Sequence, residues 1–166
     1  FDGTNDYVDF GSGSTFTPNS SGSNRGFSIS CWIKTSFSRI TLMNKYNGGY
    51  HEYILKVDTG GAIAFELYAD DDGAIKQILT TDTSAGSFID VSDGSWHHVV
   101  CTFNLSGHAN SQTIWVDGVE FDDANGGANY TSAGTWTNVI NTAASFRFAS
   151  DDRGYKGLLD EVSMWD

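Results

Sequence analysis

The residues best placed to do chemistry are carboxylates: 21 Asp and Glu stand against 9 Lys and Arg, a formal net charge of −12. Their spacing limits what they can do. Cleaving a glycosidic bond takes two carboxylates flanking it on one surface. Asp160 and Glu161 are adjacent in an extended segment, so their side chains point to opposite faces. Glu120-Phe121-Asp122 puts two acids on one face, and Asp123-Ala124 follows. His97 and His98 also point oppositely and cannot chelate one zinc together. Asp70-Asp71-Asp72-Gly73 lacks the alternating acids of a calcium loop, since Tyr68 stands two places before Asp70, and it reads as a hairpin turn. No Gly-x-Ser-x-Gly elbow, phosphate loop or Cys-x-x-Cys occurs. These patterns argue against an enzyme.

Three sets of residues remain. Asp160 alternates with Val162 and Met164, which marks its face as inward. A carboxylate buried there must find a cation or several hydrogen-bond donors, because leaving it unpaired costs several kcal/mol. Trp32 lies on the face of its strand opposite the core, and Trp165, opposite Val162 and Met164, should share that face. Sugar rings stack on exposed aromatic planes; the alternative is that both indoles pack beneath long loops. Cys31 and Cys101, flanked at i±2 by large apolar residues, point toward the core, where free cysteines commonly fill small positions.

Period-2 alternation supplies the elements that position these groups, and no long stretch follows period 3.6. Phe27, Ile29, Cys31 and Ile33 share one strand face; Val99, Cys101 and Phe103 share another; Ile114 and Val116 lead into the turn Asp117-Gly118. A strand also opens the chain, and others are expected at 39–46, 50–58, 62–69, 74–80, 145–149 and 157–165. Residues 11–26 and 122–144, rich in Gly, Ser, Asn and Thr, read as long surface loops. Many short strands with frequent turns predict an all-β, two-sheet antiparallel β-sandwich. The 166 residues suffice for one domain spanning 1–166. The acidic surface repels phosphate backbones, so nucleic acid is not an expected partner. No segment reaches the ~20 apolar residues of a membrane span.

Five segments, in order, carry a family resemblance: Phe1-Asp2-Gly3 with Asp6-Tyr7-Val8, Phe27 to Ile33, Trp96 to Phe103, Ile114 to Gly118, and Leu159-Asp160-Glu161-Val162. Together they resemble the laminin-G-like, concanavalin A-like jelly-roll domains, a superfamily that includes the pentraxins. The resemblance implies neighbouring terminal strands, Phe1 to Phe10 beside Leu158 to Trp165. It also implies that Cys31 and Cys101 are neighbours, as in the pentraxin disulfide. A bridge would add about 3–5 kcal/mol in an oxidising compartment; two buried thiols are the alternative. Many such modules hold calcium between the first turn and the last strand, here Asp2, Gly3 and Asp160. Hydrogen bonds from the first turn to Asp160, without an ion, are the competing reading. The pentraxin ligand site maps onto Glu52 with Asp151 and Asp152, although the acidic loop is short and its further acids are missing. Laminarinase-type glycosidases share the fold, but their carboxylate set is incomplete at Glu120-Phe121-Asp122.

The expected function is therefore non-catalytic: recognition of carbohydrate, or of a cell-surface protein, with calcium as staple or bridge. The setting would be a larger extracellular, cell-surface or virion protein. The chain begins at Phe, reads as an excised domain, and would then partner other domains of a longer parent. The competing class is a structural domain of a fibre, adhesin or virion that binds no small ligand. A degenerate glycosidase relative is a third.

Overall fold

The computed structural model describes residues 1–12, 16–17, 26–47, 50–69, 76–81, 88–104, 112–122, 128–133, 139–149 and 154–165. Within them the chain forms twelve strands, a 3-10 turn at Thr59–Gly61 and no α-helix. The strands are β1 (Val8–Ser12), β2 (Phe27–Lys34), β3 (Ile40–Asn47), β4 (Tyr50–Val57), β5 (Ile63–Tyr68) and β6 (Lys76–Thr81). They continue with β7 (Trp96–Phe103), β8 (Gln112–Val116), β9 (Val119–Phe121), β10 (Ala128–Ala133), β11 (Ser145–Phe148) and β12 (Leu158–Trp165). Two antiparallel sheets result, one ordered β1-β11-β3-β4-β5-β6-β10 and the other β12-β2-β7-β8-β9.

Alternation builds the core. Phe27, Ile29, Cys31 and Ile33 of β2, with Val99, Cys101 and Phe103 of β7, turn inward against Met43, Leu55, Phe65 and Leu79 of the larger sheet. All are buried, and each fully buried side chain of this size contributes roughly 1.5–3 kcal/mol of hydrophobic stabilisation. The Asp117-Gly118 turn joins β8 to β9 with φ of 52° and 80°, the double positive φ of a type I′ turn that matches strand twist.

Three expectations need correction. The segment 122–144 is not loop throughout, because β10 pairs along all six residues with β6; its Ala-Asn-Tyr-Thr-Ser-Ala sequence carries too little apolar alternation to be recognised as a strand. The terminal strands do not pair. Phe1 and Gly157 exchange backbone hydrogen bonds (3.2 and 3.1 Å) and Asp2 bridges Lys156, but β1 then crosses to the other sheet beside β11. Gly157 permits this junction: its φ is 150°, and a Cβ there would lie 2.2 Å from the Lys34 carbonyl oxygen.

The third correction concerns Asp160. Asp160 pairs with Trp32 and Ser163 with Ser30, so β12 spends three steps where β2 spends two. This is a β-bulge, with Glu161 at φ 47°. One extra residue inverts the alternation. Asp160 consequently faces outward beside Trp32 and is exposed, while Val162 and Met164 pack against the core.

Candidate functional site

The outer face of the five-stranded sheet is organised in cross-strand rows. Leu158, Lys34 and Trp96 stand opposite one another, then Asp160, Trp32 and His98, then Ser163, Ser30, Val100, Trp115 and Glu120. Trp165, Ser28, Thr102 and Thr113 form the last row. Four of the five tryptophans thus share one face, where Trp32 is 36%, Trp96 40% and Trp165 55% exposed. Trp32 and Trp96, with Asp160 and Glu161, line a shallow cleft of about 430 Å³.

Neighbours hold the Trp32 ring in place. The His98 ring lies 5.0 Å from it at a 35° tilt, and its Nε2 is 2.9 Å from Ser30 Oγ. The His98 backbone N–H donates to Asp117 Oδ1 at 2.8 Å, which ties this row to the β8–β9 turn. Asp160 Oδ1 accepts from the Glu161 N–H at 2.8 Å, within the bulge. Trp96 and His98 could have been assigned to this face from their alternation with His97, Val99 and Cys101. Glu161 could not, because nothing local announces the bulge.

On the other side of β7, His97 is nearly buried between two carboxylates, Asp117 (2.8 Å from Nδ1) and Asp93 (3.1 Å from Nε2). Burial disfavours its charge, but hydrogen bonds to Asp117 and Asp93 outweigh burial and raise its pKa. A raised folded-state pKa stabilises the fold below the unfolded value, near 6.5, and that contribution is lost as pH rises through the folded value. His97→Gln should therefore lower the melting temperature more at about pH 5.5 than at about pH 8.5. An equal deficit at both pH values contradicts a charged His97.

The calcium set is not assembled. Asp2 Oδ1 accepts from the Thr4 N–H within its own turn, the Asp2 N–H donates to Asp6 Oδ2, and the bridge partner of Asp2 is Lys156. Asp160 lies four residues further along the strand, about 13 Å, on the outer face. Asp2, Gly3 and Asp160 therefore do not fit a common ion, and no group of three or more His, Cys, Asp or Glu fit to hold a metal gathers among the described residues.

Glu52 is likewise not a solvent-facing ligand. β4 is bulged between Tyr53 and His51, and Glu52, the extra residue, is fully buried against Lys45. Its carboxylate also accepts from the Thr17 hydroxyl (2.8 Å), the Thr142 N–H (2.6 Å) and the Thr142 hydroxyl (2.9 Å). Beside it, burial and then the Glu52 charge hold the Tyr53 phenol well above its ordinary pKa; its O–H donates to the Phe16 carbonyl at 2.8 Å. The group is an internal clamp. Asp151 and Asp152 lie outside the described residues.

Cys31 and Cys101 are buried free thiols on adjacent strands. Cys31 opposes Val99 and Cys101 opposes Ile29, a diagonal relation that sets Cα atoms roughly 7–8 Å apart, at the limit of a disulfide. Bridging them would require backbone movement. Burial pushes the Cys31 thiol up to about 12; burial, then Cys31, holds Cys101 well above its ordinary value. Both thiols should stay silent to an aromatic disulfide reagent in the native protein and react together on unfolding. One thiol reacting in the native state contradicts this packing.

The outer face of the seven-stranded sheet is the competing surface. Asp9, Arg147, Asn44, Ile54, Glu66 and Ile78 form one continuous row across it. Arg147 pairs with Asp9 at 2.9 Å, and Glu66 is held by Lys56 and the Tyr68 hydroxyl. Asn44 Oδ1 is buried without a partner. Among the described residues of this face, Asp9, Arg147, Lys56, Glu66 and Tyr68 are thus engaged with one another.

Two antiparallel sheets in this order, closed face to face, define a jelly roll of the concanavalin A-like class. The chain belongs to that class: the laminin-G family model of the concanavalin A-like lectin/glucanase superfamily matches residues 2–166. No curated protein sequence matches it. Among solved structures it is similar to domains LG4-5 of the mouse laminin α1 chain, with 15% identity over 99% of this chain and 40% of that one, at a TM-score of 0.64. It is also similar to the botulinum neurotoxin serotype D binding domain, with 14% identity over 99% of this chain and 37% of that one, at 0.65. Domain 4 of an extracellular GH43 arabinanase from Geobacillus stearothermophilus, in complex with arabinotriose, matches with 15% identity over 96% of this chain and 66% of that one, at 0.54. The chain spans less than half of the laminin and neurotoxin chains. At these identities the likeness establishes the fold. No helix among the described residues is long and apolar enough to cross a membrane.

Proposed function

We propose that this domain is a non-catalytic carbohydrate-recognition module that binds through the outer face of its five-stranded sheet. The observation that carries the reading is the cleft between the exposed indoles of Trp32 and Trp96, rimmed by Asp160 and Glu161. Indole faces stack on the C–H faces of sugar rings, and carboxylates at the rim accept hydrogen bonds from sugar hydroxyls. Trp165 extends the aromatic surface toward the far end of the sheet. The neighbours include a domain of an arabinanase in complex with arabinotriose, and the superfamily is named for lectins and glucanases, both of which engage carbohydrate. Residence in a larger extracellular, cell-surface or virion protein follows from the same reading.

The non-catalytic half rests on the incomplete carboxylate set at Glu120-Phe121-Asp122, where Glu120 is exposed at the β8–β9 hairpin. Asp160 and Glu161, expected on opposite faces, are instead brought by the bulge to one cleft beside two indoles. A glycan array with and without EDTA tests the reading. Specific hits that Trp32→Ala abolishes support recognition at this cleft, and chelator-insensitive hits place it on the indoles and carboxylates alone. Silence across the array favours a structural role in a fibre, adhesin or virion. Release of reducing ends from laminarin contradicts the non-catalytic assignment.

A further inference from the structure

Resting on the carbohydrate-recognition reading, we propose that the preferred ligand is a dipolar saccharide, carrying a free ammonium group and an acidic group on the same or adjacent sugars. Two clefts of opposite charge abut on this sheet. The first, between Trp32 and Trp96, is rimmed by Asp160 and Glu161. The second, about 240 Å³, is lined by Lys34, Thr35, Ser36, Phe37, Lys156 and Leu158, among others. They share a boundary, because Lys34 opposes Trp96 across one strand pair and Leu158 across the other, two residues along β2 from Trp32. Two residues of strand are about 7 Å, the scale of one or two sugar rings.

The lysines are the telling feature. In a chain with only 9 Lys and Arg, the described side chains of Lys45, Lys56 and Arg147 are spent on internal acids. Lys34 and Lys156 pair with none among the described residues, yet both line one cleft. Lys156 Nζ lies 4.7 Å from the centroid of the exposed Phe37 ring, which holds its charge at the mouth. An acidic group entering here meets two ammonium groups and the hydroxyl of Ser36. In the other cleft the signs reverse. Two indole faces and two carboxylates, with no Lys or Arg in the lining, attract an organic cation by cation–π and ion-pair interactions together. The bulge that turned Asp160 outward is what supplies this cleft with both acids.

Four related sugars separate the contributions: N-acetylglucosamine, glucosamine, N-acetylglucosamine 6-phosphate and glucosamine 6-phosphate. They are titrated at about pH 5.5, where amines are protonated and ordinary carboxylates ionised, with Trp indole N–H resonances as the readout. Glucosamine 6-phosphate should bind about tenfold tighter than N-acetylglucosamine, each charge supplying roughly threefold, and the advantage should shrink at high salt. Asp160→Asn/Glu161→Gln should remove the amine preference and keep the phosphate preference. Lys34→Gln/Lys156→Gln should do the reverse. Equal affinity for all four sugars, or preferences unchanged in the charge variants, overturns the dipolar assignment. If one of them still shifts Trp32 and Trp96, the recognition reading stands. Silence of all four also overturns the dipolar assignment, while the wider array decides the reading itself.

Discussion

Glu52→Ala should destabilise the domain by about 3–5 kcal/mol, the cost of leaving a buried charge without its partner. Lys45 and Glu52 are both fully buried, and the carboxylate is also held by Thr17 and by both donors of Thr142. Removing the acid leaves the Lys45 ammonium, among the described residues, with the Thr17 hydroxyl at 2.8 Å and the Thr142 carbonyl at 3.5 Å. It also releases residues 17 and 142 from the sheet. A domain of this size has roughly 5–15 kcal/mol in total, so the loss is a large fraction. The paired replacement Lys45→Met/Glu52→Leu removes both charges and should cost less than Glu52→Ala alone. Urea unfolding measures both. A Glu52→Ala penalty below about 1 kcal/mol would mean that the pair is solvated, contrary to its burial.

Trp32→Ala should weaken glycan binding by roughly 10- to 30-fold, equivalent to about 1.4–2 kcal/mol, through loss of a stacking plane at the centre of the cleft. Its effect on stability should be small, within about 1 kcal/mol, because Trp32 stands on the outer face and the core residues Cys31 and Ile33 remain in place. Trp165→Ala is the internal control. Trp165 opposes Ser28, four residues along β2 and about 13 Å away, so its loss should alter affinity far less. If both variants bind as the native domain does, the sugar contacts lie elsewhere.

What the sequence made legible was whatever obeys strict alternation. The inward faces of β2, β7 and β8, the Asp117-Gly118 turn and the common outer face of Trp32 and Trp165 all follow from period-2 patterning. The misplacements of Asp160 and Glu52 share one cause. At Glu52 and at Glu161 a β-bulge inserts one residue, and every side-chain direction beyond it changes face. Strict alternation thus reads Asp160 as inward, which favours the calcium staple that the family resemblance implies. Glu52, assigned to a ligand site by the pentraxin resemblance, is a buried clamp. Neither bulge has a glycine to announce it: Glu161 takes φ 47° as a non-glycine residue. The pairing of Glu52 with Lys45, seven residues away across a hairpin, depends on register and not on any local motif.

The most direct test of recognition at the tryptophan cleft is to titrate the labelled domain with a glycan hit and follow indole and backbone N–H resonances together. The account predicts that the largest shifts fall on the Trp32 and Trp96 indoles and on the backbone of Asp160, Glu161 and His98. Shifts concentrated instead on Asn44, Glu66 and Tyr68 would contradict it and move the site to the outer face of the seven-stranded sheet.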